Sequence, residues 1–103
     1  MDWNNKENTR LIKAILALET PDETRRFLRD LMTENEIEEF GKRLQTAGLL
    51  LENVPYSVIE EKTGFSSTTV ARVSKWLNNG MGGYKSIINK LHHTSIPRAR
   101  GLS

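Results

Sequence analysis

The chain contains no cysteine. That excludes disulfides, thiolate nucleophiles and cysteine-ligated metals, and it fits a reducing compartment. No apolar run approaches the roughly 20 residues that span a bilayer. The opening MDWNNKENTR lacks the apolar stretch of a secretory signal. The expectation is a cytoplasmic protein with no membrane partner. A third absence is local: residues 62–103 hold no aspartate or glutamate. They carry 7 Lys and Arg, a net +7, while residues 1–61 carry 8 Lys and Arg against 13 carboxylates, a net −5. The overall +2 therefore conceals a cationic half, and such a surface attracts phosphates. Strand-like alternation, internal repeats and low-complexity tracts are also missing.

What remains is 103 residues, 37% of them apolar, about one domain's worth. A monomer of this size buries only part of its surface, so burial against a partner would add stability. Leu11, Ile12, Ile15, Leu16 and Leu18 recur at helical spacing and predict a first helix over about 7–18. Thr20-Pro21-Asp22-Glu23 combines a threonine cap, a proline at the first helical position and a glutamate three residues after the cap. A second helix over about 21–32 is expected to bury Phe27, Leu28, Leu31 and Met32, with Arg25, Arg26 and Arg29 on a solvated face. Thr33-Glu34-Asn35-Glu36 repeats the capping box and opens a longer helix over about 34–53. Ile37, Phe40, Leu44, Ala47, Gly48 and Leu51 form its apolar stripe. Gly41 and Gly48 each cost about 1 kcal/mol of helix propensity, which close approach by another backbone would explain.

Asn53-Val54-Pro55 ends that helix, since proline disfavours helical geometry just before it, and Pro55 opens a short one over about 56–62. Thr63-Gly64-Phe65-Ser66 reads as a turn, and Ser66 as the cap of a helix over about 67–78. Asn78-Asn79-Gly80-Met81-Gly82-Gly83 stops it, and a last helix over about 84–91 presents Tyr84, Ile87, Ile88 and Leu91. Residues 92–103 are expected to form a basic flexible tail after a helical domain spanning 1–91. The fold class is all-α with six helices.

A short helix broken at a glycine and restarted at once is the pattern of a helix–turn–helix, here over 56–78. Ile59, Val70 and Val73 are placed to hold its two helices together, with Val70, Val73 and Leu77 on one face of the second. Thr68, Arg72, Lys75 and Asn79 line the opposite face, which has donors and cations but no carboxylate. Such a helix suits a major groove, with Arg and Lys toward guanines or phosphates. Ser66, Ser67, Thr68 and Thr69 stand where first-turn N–H groups can meet a phosphate. Double-stranded DNA is the expected partner. Glu60 counts against this, because a small residue usually occupies the fifth place of the motif. The competing reading is a helical dimerisation or protein-interaction module without DNA binding.

Enzyme activity is not expected. Glu34, Glu36, Glu38 and Glu39 begin a helix, where negative charge is favoured, and lack a base–nucleophile partner. His92 and His93 read as tail composition, and neither a metal nor another cofactor is expected. Gly80-Met81-Gly82-Gly83 lacks the Lys-Ser/Thr that follows a phosphate loop, so it reads as a helix connection.

The stretch from FLRDLMTENEIEEFGKRLQTAGLLLENVPYSVIEEKTGFSSTTVARVSKWLNNG through GGYKSIINKL resembles the Trp repressor superfamily. It looks closest to the YerC/YecD branch of that superfamily, for which Asn78-x-Gly80-x-Gly82-Gly83-Tyr84 is typical. The resemblance covers about residues 8–91. It implies an intertwined homodimer, a regulator that binds a near-palindromic operator through two symmetric heads, and a role for Gly41 and Gly48 in packing near the dimer core. Arg43 in GKRLQTA and Arg72 in TTVARVSK match the two arginines that sandwich the corepressor's indole in the Trp repressor. Arg43, Arg72, Val73 and Trp76 therefore form a candidate ligand pocket. In the Trp repressor a glycine and a serine stand where this chain has Val73 and Trp76. Val73 narrows the slot, and the indole of Trp76 is expected to fill it with Arg72 stacked on it. Tryptophan is accordingly not expected to act as a corepressor.

Overall fold

The capping signals set where the first helices begin. The computed structural model describes residues 1–95, with side chains through His93, and every regular element among the described residues is an α-helix. Asn5 caps α1 (Lys6–Leu16), its side chain accepting from the Asn8 N–H at 2.8 Å. Thr20 Oγ1 accepts from the Glu23 N–H at 3.1 Å and caps α2 (Pro21–Leu31). The Glu23 carboxylate turns back to the N–H of Glu19, one residue ahead of the cap, at 2.9 Å. At α3 (Glu34–Leu51) the box is complete: Glu36 N–H donates to Thr33 Oγ1 at 3.1 Å, and Thr33 N–H donates to Glu36 Oε1 at 2.8 Å.

Proline does not end α3 by itself. Asn53 takes a left-handed conformation (φ 61°), its N–H donates to the Leu50 carbonyl, and the Val54 N–H reaches the Leu49 carbonyl, both at 3.0 Å. This is a Schellman closure with asparagine in the place more often held by glycine. Pro55 then stands as the N-cap of α4 (Tyr56–Thr63), in extended geometry, and its carbonyl accepts from Val58 and Ile59. After α5 (Ser67–Asn79), α6 (Gly83–Ser95) runs four residues past its expected end. His92 and His93 thus belong to the last turn of a helix, and only residues 96–103 of the expected tail lie outside the described residues.

The chain forms two compact units, residues 1–37 and the residues from Glu38 onward. The first has no buried residue. Phe27, Leu28 and Met32 are half-buried, but Leu31 is 50% exposed, contrary to the expected burial of all four. Leu11, Ile12, Ile15 and Leu16 of α1 are exposed as well. The second unit is built on a cluster of Ala47, Val73, Leu77 and Ile88, with Leu50 and Tyr84 packed against it. The expected α3 stripe divides there: Ala47 is fully buried, while Phe40, Leu44 and Leu51 remain exposed. A methyl group added at Gly41 or Gly48 would meet nothing within 4 Å, so no other backbone among the described residues approaches either glycine closely. No helix among the described residues is long and apolar enough to cross a membrane.

The α4–α5 turn depends on Gly64. Its φ of 79° and ψ of 1° place it in the left-handed region, and its N–H donates to the Glu60 carbonyl at 2.8 Å. The buried Thr63 hydroxyl donates to the Ile59 carbonyl at 2.7 Å and accepts the Phe65 N–H at 3.1 Å. One hydroxyl thus adds a second bond to a helical carbonyl and satisfies the Phe65 N–H that the change of direction leaves over. A methyl group at Gly64 would meet no neighbour, so the cost of alanine there is backbone strain alone. Gly64→Ala is expected to lower stability by about 1–2 kcal/mol, with Gly64→Asn much milder because asparagine tolerates this region. Urea unfolding checks this; an unchanged midpoint for Gly64→Ala would show that the turn does not need left-handed geometry.

Candidate nucleic-acid interface

The reading head is closed from inside by Ile59 on α4 and Val70 and Val73 on α5, all fully buried. Val73 and Leu77 continue into the cluster with Ala47 of α3 and Ile88 of α6. One face of α5 is therefore fixed against the rest of this unit. Glu60 sits next to Ile59 and is half-buried, so the two helices close around position 59 while the glutamate keeps a route to solvent.

With that face committed, the helical period forces Thr68, Arg72, Lys75 and Asn79 outward, and all four are exposed. Arg72 and Lys75 form no ion pair among the described residues. At the N-terminus Ser66 Oγ accepts from the Thr69 N–H at 3.2 Å, and the two hydroxyls lie 3.2 Å apart. Ser66 and Thr69 are thus partly occupied with each other. Ser67 and Thr68 are exposed, without a side-chain partner among the described residues, and their backbone N–H groups belong to the first turn, where the Ser66 cap engages the N–H of Thr69. The surface that results is one helix face carrying hydroxyls, an amide, a guanidinium and an ammonium, opened by a helix N-terminus. It is suited to an anionic, hydrogen-bonding partner.

Of the four residues read as a ligand pocket, Arg43 and Trp76 are brought together. Val73 is inside the core and Arg72 is on the open face. Trp76 is stacked, but by Arg43 of α3 rather than by Arg72: the Arg43 guanidinium lies 5.1 Å from the indole centroid and 5.2 Å from the Phe40 ring centroid. Arg43 Nη2 also donates to Glu39 Oε2 at 2.7 Å. The cleft beside this group, about 500 Å³, is lined by Leu44, Trp76, Gly80, Met81, Gly83, Tyr84 and Ile87. Sequence reading missed Glu39 and Phe40 as neighbours of Arg43, although their offsets of four and three residues along one helix are the available signal. It also missed the stitching role of Thr63.

Residues 6–92 match the family described as Trp repressor protein. The chain is 38% identical over 89 residues to the uncharacterized protein YerC of Bacillus subtilis, covering 86% of each. Its fold is similar to the crystal structure of a TrpR like protein from Eubacterium eligens, with a TM-score of 0.84 and 37% identity, covering 87% of this chain and 93% of that one. A six-helix, all-α chain with this head, matched over nearly its whole described length, belongs to the Trp repressor family.

Proposed function

We propose that the protein is a sequence-specific DNA-binding transcriptional regulator, acting in the cytoplasm as a homodimeric repressor that does not depend on tryptophan. The observation that carries this reading is the open face of α5. Thr68, Arg72, Lys75 and Asn79 are exposed together on a helix whose other side is locked into the core. In a major groove, Arg72 and Lys75 reach base edges or phosphates, and Ser67 and Thr68 bring hydroxyls and first-turn N–H groups to the backbone. Ser66 and Thr69 hold that turn in shape, and Asn79 extends the contact along the groove. Membership of a regulator family supports the same reading. Binding to random duplex DNA should weaken steeply with salt, because each neutralised phosphate releases counterions. On the best site selected from such a pool, Arg72→Ala and Lys75→Ala should cost about 1–3 kcal/mol each if both read bases. Salt-insensitive or absent binding, or variants equal to wild type, would favour a protein-interaction module instead.

Dimerisation is supported by what one chain leaves uncovered. The first unit buries no side chain fully, and α1 exposes Leu11, Ile12, Ile15 and Leu16, the last at 78%. In the second unit Phe40, Leu44, Leu51, Ile87 and Leu91 are exposed too. A second copy presenting the same surfaces can cover these faces, and close approach at Gly41 and Gly48 would then occur between chains. Two-fold heads about 34–36 Å apart call for a near-palindromic operator with half-sites about 10 base pairs apart. Sedimentation equilibrium at micromolar concentration should give twice the chain mass. A clean monomer at that concentration would remove the dimer from this proposal.

Arg43 is already engaged by Glu39, Phe40 and Trp76, and Val73 is in the core. Neither leaves room for an indole between α3 and α5. Titration calorimetry with L-tryptophan should show no saturable binding at millimolar ligand, and DNA affinity should not change when it is added. A micromolar isotherm would restore a corepressor.

A further inference from the structure

Residues 1–61 carry a net −5, yet one of their helices presents a cationic stripe. Lys6, Arg10 and Lys13 of α1 recur at i, i+4 and i+7, so they share one face. All three are exposed, and none forms an ion pair among the described residues. Arg26, Arg29 and Arg43, by contrast, are each held by a carboxylate. The one acidic residue within α1 is Glu7, which the helical period turns about 100° away from Lys6.

The stripe borders a hollow. Asn4, Lys6, Thr9, Arg10 and Lys13 line a cleft of about 410 Å³, and Arg10 and Lys13 line a second of about 250 Å³ with Ala14. The three cations therefore share open space beside the helix. Leu11 and Ile15 stand on the opposite face of α1, so whatever covers that apolar face leaves the cations open. From Lys6 to Lys13 the helix rises about 10 Å, the length of duplex axis over which one strand presents about three phosphates. A row of three cations matches the repeated charge of a strand better than it matches a single small anion.

We propose that α1 is a second, sequence-independent contact to duplex DNA, in which Lys6, Arg10 and Lys13 bind consecutive phosphates of one strand. Phosphate contacts add affinity and carry no base information, so α5 supplies selectivity and α1 strengthens the hold. The proposal rests on the DNA-binding reading for its partner, and on its own residues for the contact.

The full-length chain is compared with a triple variant, Lys6→Gln, Arg10→Gln and Lys13→Gln, which changes exposed positions and keeps good helix formers. Affinity for the selected duplex, and for random duplex of the same length, is measured against salt concentration. The slope of log affinity against log salt should shrink by about 3 on both duplexes, about one for each lost phosphate contact. The ratio of selected to random affinity should stay as in the wild type. A second variant, Arg25→Gln, Arg26→Gln and Arg29→Gln, removes the same charge from α2 and should keep the slope close to that of the wild type. An unchanged slope in the α1 variant overturns the proposal, as does an equal loss of slope in the α2 variant or a changed selectivity ratio in the α1 variant. If the slope is unchanged and phosphatidylglycerol vesicles retain the wild type but not the α1 variant, the stripe belongs to a lipid surface instead. Should the triple variant not fold, Arg10→Gln alone should shrink the slope by about 1, and an unchanged slope there is as decisive. Arg72→Ala separates the two readings. If it binds both duplexes like the wild type while the α1 variant loses slope, the reading head fails and the stripe stands; the converse result keeps α5 and removes α1. A wild type that binds neither duplex overturns both.

Discussion

The left-handed turn at Gly64 is the constraint on which the head depends. It ends α4 after eight residues and lets α5 start three residues later in a new direction. Without it, Ile59 and Val70 would not be brought together at full burial. The turn is closed by chemistry as well as by conformation, since the Thr63 hydroxyl bonds both the Ile59 carbonyl and the Phe65 N–H. Everything outside the turn follows from it. Once Val70, Val73 and Leu77 are committed to the interior, the helical period turns Arg72 and Lys75 outward.

Charge and burial divide the labour along the chain. The carboxylates of residues 1–61 are used locally: Glu36 completes a capping box, Asp22 pairs with Arg26, Glu39 orients Arg43. Exposed pairs such as Asp22 with Arg26 contribute little stability. Residues 62–103 hold no aspartate or glutamate, and Arg72 and Lys75 form no ion pair among the described residues. Arg43 is the informative exception. It is a cation held between two rings and a carboxylate, and these electrostatic contacts tie it to α5 as well as to its own helix.

The apolar faces show a different economy. Leu11, Ile12 and Ile15 are spaced as a core stripe would be, yet α1 and α2 bury no residue fully. A small helical chain whose stripes outnumber the surfaces it can offer them is incomplete by itself. The same holds for Phe40, Leu44 and Leu51 on α3. In the proposed two-fold assembly these stripes would become each other's cover.

Local rules were enough for much of this. Thr20, Thr33 and Ser66 announce helix starts because their hydroxyls reach a backbone N–H three residues ahead, an interaction that needs no distant partner. Gly64 announces the turn because only a residue without Cβ adopts that region freely. The opposition of Val70, Val73 and Leu77 to Thr68, Arg72 and Lys75 follows from the period of one helix. The sequence failed wherever the deciding group came from elsewhere in the chain or lay past a boundary it did not mark. Asn53 in the left-handed region rather than Pro55 closes α3, and α6 continues through His92 and His93. Which arginine meets Trp76 could not be read from spacing, because Arg72 is near it in sequence and Arg43 is near it in space. The sequence alone therefore determined the helices, their caps, the turn and the cationic face, all set within a few residues. Only the tertiary structure decided which half of each apolar stripe is buried and which cation the indole receives, because those depend on contacts between helices far apart along the chain.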